Sequence, residues 1–384
     1  MLAAALGAIL ASAFGALLPA WLSYAFCAAS LLLCSFLFHR RNRAFLLPLF
    51  LLLVLFRMFL LPESLPSDSA AGMFLDRLRG GMKDAASVLY RDQAGVAVGM
   101  LLGGTEGLTD ALREQFKGVG FLHLFAVSGL HVSLLTEMLG RFARTRNKAV
   151  SFMILTLFLL FFCAVTGFSA SVLRAAFMLI GVRISRMRER QVDMPSVFCF
   201  AMALTLLCDP MSLFHAGFQL SFGAAGGMIL FAKTLRKPFA RRFPQSKILT
   251  ALTSTAAALI GMLPIMAYRF GEVTFLSIPL SVLLIPTMPI ILLFGFFSIL
   301  LYGIMPHVAV LLSYPAYGAI RVLTQVSEWI NVPLLSLPKP HPIAIVLYYA
   351  GLLFASRLYL KNADRPPWIG IGLLFVSLIL WCVL

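Results

Sequence analysis

The chain is 384 residues long, 61% apolar and only 12% charged, with a mean hydropathy of +0.95. Those values exclude a soluble globular domain, and the net charge of +16 does not in itself call for nucleic acid, because most of the 31 Lys and Arg fall in five short clusters between apolar runs. A bilayer crossing needs roughly 20 apolar residues, so the expected fold is all-α, a polytopic integral membrane protein with about 11 to 13 transmembrane or re-entrant helices around a polar cavity.

The basic clusters lie at residues 40–43, 141–148, 183–190, 233–247 and 357–365. The positive-inside rule puts all five in the cytoplasm, and an even number of crossings between successive clusters satisfies them together. The expected location is the cytoplasmic (inner) membrane, with the N-terminus inside and the C-terminus outside. Six cysteines are scattered through apolar segments without metal or redox spacing.

In chain order, residues 1–61 form N-terminal transmembrane helices: a pair turning near Pro19, then a crossing at 44–61 with Arg57 in its lower turn. Residues 62–104 form an outer amphipathic and re-entrant segment. Within it Leu75, Leu78, Met82, Ala85 and Leu89 share one helical face, so an interfacial helix is expected, interrupted at Gly80-Gly81. Residues 93–104 are too few to span and suit a half-helix packed in protein. A polar helix at 105–117, with Thr109 as N-cap, opens the remaining domain, 105–384.

That helix leads into Gly120-Phe-Leu-His-Leu-Phe-Ala-Val-Ser-Gly-Leu-His-Val-Ser-Leu-Leu135, which sets His123, Ser128, Gly129 and His131 inside an apolar run. Unpaired polar groups and broken helix turns cost several kcal/mol in hydrocarbon, so these residues are expected to face protein or a wet cavity. Residues 167–171, ending at Ser171, form a small polar break before Arg174. Arg174 is either a phosphate partner, through its planar fork, or half of a buried pair with Glu137 or Asp209.

Asp209-Pro210 marks a helix junction, followed by His215 and Gln219 four apart on an apolar helix whose Gly217, Gly223, Gly226 and Gly227 permit close helix contact. Arg269 and Glu272 are a candidate ion pair after the crossing at 248–268. Residues 273–303, punctuated by Pro279, Pro286 and Pro289, are expected to kink or re-enter before a full crossing. Arg321, Gln325 and Glu328 form a polar stripe on the next helix, and residues 341–356 and 366–384 are two closing spans.

Three blocks carry a family resemblance. The first runs from Gly103-Gly104-Thr-Glu-Gly-Leu-Thr-Asp-Ala-Leu-Arg-Glu-Gln-Phe116 into Gly120-Phe-Leu-His-Leu-Phe-Ala-Val-Ser-Gly-Leu-His-Val132. The second is Thr166-Gly-Phe-Ser-Ala-Ser-Val-Leu-Arg-Ala-Ala-Phe-Met178, and the third is Asp209-Pro-Met-Ser-Leu-Phe-His-Ala-Gly-Phe-Gln-Leu-Ser-Phe222. In this order they resemble the ComEC family of competence proteins, with Ala170 standing where the family pattern has a proline. The resemblance implies a channel passing single-stranded DNA across the cytoplasmic membrane in natural transformation. Full-length relatives add an OB-like and a metallo-β-lactamase-like domain. The expectation for this chain is the membrane core without either, hence no enzyme, with a separate nuclease and a cytoplasmic DNA-translocating ATPase as partners beside membrane lipids.

The pore-lining candidates are therefore His123, Ser128, Gly129, His131, Glu137, Ser171, Arg174, Asp209, His215, Gln219 and Arg321, with no catalytic residue, metal or cofactor expected. Two other readings use the same residues. A small-anion or proton-coupled transporter would employ Glu137, Asp209, His123 and His131 as relay groups. An intramembrane serine hydrolase would pair Ser128 with His131 or His123.

Overall fold

The computed structural model describes residues 70–127, 129–142, 148–187, 189, 191–330, 334–355 and 368–383. The sequence readings on residues 1–69, 128, 143–147 and 356–367 lie outside them. The described chain is helical, apart from one two-residue antiparallel strand pair, and divides into two compact units.

The first unit takes in residues up to Leu108, Leu124–Phe218 and Pro289–Arg321. Its first described element is α1, Ala70–Tyr90. The break expected at Gly80-Gly81 does not occur, and the helix runs straight through both glycines. Each costs about 1 kcal/mol relative to alanine, and the helix persists because Met82, Ala85, Ala86, Leu89 and Tyr90 are buried. Tyr90 is fully enclosed, and its hydroxyl lies 2.7 Å from that of Ser298, which supplies the partner a buried phenol needs.

A short 3-10 turn at Arg91–Gln93 leads to α2, Ala94–Leu102. Nine residues make a helix about 14 Å long, under half the hydrocarbon thickness. It stops at Gly103 and Gly104, whose φ of 90° and 105° only glycine adopts without strain. The rest of this unit comprises α4 (Gly129–Phe142), α5 (Lys148–Val165), α6 (Ala170–Met187) and α7 (Met194–Cys208), plus parts of three later helices. Helix α7 is capped by Asp193, whose carboxylate accepts from Ser196 N at 3.2 Å.

The second unit takes in Thr109–His123, Gln219–Met288 and the chain from Val322 onward. Thr109 caps α3 (Asp110–Gly118) as expected, its Oγ1 accepting from Leu112 N at 3.3 Å. The main elements are α8 (Ala216–Ala240), α9 (Lys247–Phe270), α10 (Ser277–Leu301), α11 (Pro306–Trp329), α12 (Pro342–Ala355) and α13 (Trp368–Val383). Three of these are shared, the division falling after Phe218 in α8, after Met288 in α10 and after Arg321 in α11. Strands β1 (Glu272–Val273) and β2 (Leu335–Ser336) pair Glu272 with Ser336 and Val273 with Leu335.

Helices α9 and α10 are each long and apolar enough to cross a membrane. Of the kink or re-entry expected near Pro279, Pro286 and Pro289, the re-entry does not occur: the run is the single helix α10. Helices α8 and α9 meet through glycine. A Cβ on Gly227 would lie 2.2 Å from the Ala257 carbonyl oxygen, and one on Gly261 would lie 2.1 Å from that of Gly223. Such an approach needs small residues on both helices. Pro264 lies inside α9 and, lacking N–H, leaves the Ile260 carbonyl four residues earlier without its helical donor. Tyr348 of α12 donates to that oxygen at 2.8 Å, and Tyr349 to the Gly261 carbonyl, also at 2.8 Å.

Candidate functional site

The candidate site grows from the C-terminal end of α2. The last carbonyls of any helix lack intrahelical donors and must be satisfied otherwise when buried. Here the Gly99 carbonyl accepts from Gly103 N at 3.1 Å, and the Met100 carbonyl meets His131 Nε2 at 2.8 Å. A carbonyl only accepts, so Nε2 carries the proton. His131 is fully buried on the first turn of α4. Next to it Gly104 N donates to the Phe125 carbonyl at 2.9 Å, and a Cβ on Gly99 would strike the Phe125 ring at 2.5 Å. The signature stretch is thus a short 3-10 turn at Leu122–Phe125 followed by a break and the new helix at Gly129, folded against the end of a half-helix.

Arg174 enters the same region from α6. Its side chain is 9% exposed, and its Nη1 lies 4.0 Å from Met178 Sδ. Its Nη2 would lie 3.1 Å from a Cβ on Gly129, so the glycine leaves room for the guanidinium beside the opening turn of α4. Ser171, half-buried, is one turn earlier on α6. Arg174 is therefore brought against Gly129, the first residue of the helix whose first turn also carries His131, with Ser171 one turn earlier on α6. An arginine fork beside the N-terminal turn of α4 can hold an anionic oxygen.

The other candidates are elsewhere. Glu137 is exposed further along α4. Asp209 caps the 3-10 turn Pro210–Phe214, its Oδ1 accepting from Met211 N at 3.0 Å, and exposed His215 ends that turn. His123 is exposed in the second unit, where its Nδ1 donates to the Gly120 carbonyl at 2.7 Å. In that unit also, Gln219 Oε1 accepts from Arg269 Nε at 3.2 Å, while Glu272 meets Lys117 Nζ at 2.6 Å. Arg321, exposed on α11, stands near Asp92. The Asp92 carboxyl is held below the ordinary aspartate value by hydrogen bonds from Gln93 (3.1 Å) and Tyr317 (3.0 Å), with the Arg321 charge adding to them.

Sequence reasoning missed Arg79. Its Nε donates to the Val165 carbonyl at 2.9 Å and its Nη2 to that of Ala164, closing the C-terminal end of α5. Gly167, with φ 75°, carries the turn beneath it, where a Cβ would sit 3.4 Å from Nη2. The signal available was an arginine next to Leu78, at the edge of an apolar helical face. Among the described residues no group of three or more His, Cys, Asp or Glu could hold a metal ion.

The comparisons with known proteins concern the same stretch. ComE operon protein 3 of Bacillus subtilis is 31% identical over 204 residues, 52% of this chain and 25% of that protein. An uncharacterized protein of Mycoplasma genitalium is 28% identical over 250 residues, 63% of this chain and 61% of its own. Competence protein ComA of Neisseria gonorrhoeae is 25% identical over 205 residues, 51% of this chain and 28% of its own. The chain thus spans from a quarter to about three fifths of the length of these relatives. No solved structure matches it. The family model described as Competence protein matches residues 100–361, from within α2 past the end of α12 and across all three sequence blocks, so the chain belongs to the competence protein family.

Proposed function

We propose that this chain is the membrane-embedded passage through which single-stranded DNA crosses the cytoplasmic membrane. The observation that carries the reading is a buried arginine, Arg174, set against the opening turn of α4, the helix that buried His131 ties to the end of the half-helix α2, in a chain that is 61% apolar. Broken helices and buried charge are kept in hydrocarbon where they surround a polar path. A guanidinium there meets successive phosphates without reading sequence, which suits transport of any strand. Helices α9 and α10 and the composition support a membrane location, and the basic loops favour an N-terminus inside and a C-terminus outside.

On this reading the chain moves the strand and does not cut it. Nε2 of His131 is committed to the Met100 carbonyl, which removes it as a general base for a serine nucleophile. Strand degradation then falls to a separate nuclease, and the driving force to a cytoplasmic ATPase.

The test is deletion of the gene in its host, with labelled DNA scored separately at the surface and in the cytosol. Surface binding kept with entry lost supports the passage. Unchanged entry refutes it.

A further inference from the structure

The turn between α8 and α9 is the most strongly charged feature among the described residues. From Lys233 to Leu249 the turn and the helix ends that flank it hold six basic residues and no acid. The turn is a fixed structure: Arg236 Nη2 donates to the Pro244 carbonyl, and Ser246 caps α9 through Leu249 N at 3.1 Å. Over it stand three exposed apolar side chains, Phe239 at 54%, Phe243 at 52% and Ile248 at 53% exposure. Lys237, Arg241 and Arg242 are exposed among them.

Helix α9 is one of the two long enough to span, about 36 Å at 1.5 Å per residue against roughly 30 Å of hydrocarbon. Lys247 is its first residue, so the turn falls just beyond the hydrocarbon, and the glycine contact at Gly227 and Gly261 holds α8 at the same depth.

We propose that this turn is a docking surface for anionic phospholipid. The cations take the headgroup phosphates, and Phe239, Phe243 and Ile248 wedge into the acyl boundary. Both Phe rings could stack on nucleic-acid bases, but Ile248 has no π face to offer them and is suited to acyl chains. The surface anchors the α8–α9 hairpin to the inner leaflet. This inference rests on the membrane reading of α9.

The test uses the full chain in phosphatidylcholine vesicles with and without phosphatidylglycerol. Photoreactive analogues of each lipid are titrated, and labelling of residues 233–249 is mapped. Preferential labelling by phosphatidylglycerol is expected. Its apparent affinity should fall about a hundredfold in the exposed-site variant K237Q/R241Q/R242Q. Lys237→Arg should keep it, and Phe239→Ser with Phe243→Ser should weaken it at unchanged charge. Equal labelling by the two lipids overturns the proposal. So does labelling of the turn by a single-stranded oligonucleotide in place of the lipid. Carbonate washing of the same vesicles separates the two failures. Protein released by carbonate refutes the membrane reading, whereas retained protein with no lipid preference refutes only the docking surface.

Discussion

His131 Nε2 donates to the carbonyl oxygen of Met100 at 2.8 Å, so the family's central block is fastened to the open end of α2. His131→Leu keeps the bulk and deletes the donor. An orphaned buried carbonyl is expected to cost roughly 1–3 kcal/mol, read as a lowered thermal unfolding midpoint in detergent. An unchanged midpoint would mean that the bond does not hold α2 in place.

Tyr348 and Pro264 are expected to couple. Tyr348→Phe alone leaves the Ile260 carbonyl with neither a helical nor a side-chain donor. In a Pro264→Ala background the helical N–H returns, so the same change should cost measurably less, with a coupling of about 0.5–3 kcal/mol. A double-mutant cycle on unfolding midpoints measures it. Simple additivity would contradict the role assigned to Tyr348.

The glycines of α8 should not be equivalent. Gly227→Ala sets a methyl 2.2 Å from a backbone oxygen, an overpacking worth typically 1–3 kcal/mol. Gly217→Ala meets nothing within 4 Å and should be neutral or mildly stabilising. Expression level and thermal midpoint of the two variants provide the check.

Asp92 gives a pH dependence with a definite sign. Its folded carboxyl titrates below the ordinary aspartate value because Gln93, Tyr317 and Arg321 favour the charged form. The stability it contributes is present above the ordinary value and is lost as pH falls through the depressed one. Tyr317→Phe should therefore lower the unfolding midpoint at neutral pH and have little effect once Asp92 is protonated. A penalty that stays constant with pH would contradict the hydrogen bond from Tyr317.

Much of this was legible in the sequence. The half-helix at α2 followed from its length and glycine content, and the Thr109 cap from the residue type at a polar helix start. The break before Gly129 followed from polar residues in an apolar run. What escaped notice has one physical cause: partners far apart in sequence. Periodicity cannot show that Arg79 closes the end of α5, that Glu272 pairs with Lys117, or that two tyrosines of α12 serve the carbonyls around Pro264. The continuous α1 also escaped, because local propensity at Gly80-Gly81 was outweighed by tertiary burial of Met82, Ala85 and Ala86. In the site, a shared polar character grouped eleven residues, whereas the fold sets Arg174 against Gly129, ties His131 to Met100 and gives Asp209, Gln219 and Arg321 other partners.

The central claim is that buried polar groups around the opening turn of α4 guide a DNA strand. Entry of labelled DNA into cells carrying Arg174→Ala, at wild-type protein level, tests it most directly. Loss of one charge-assisted phosphate contact should leave surface binding intact and reduce entry by at least about tenfold. Normal entry in that strain would contradict the account.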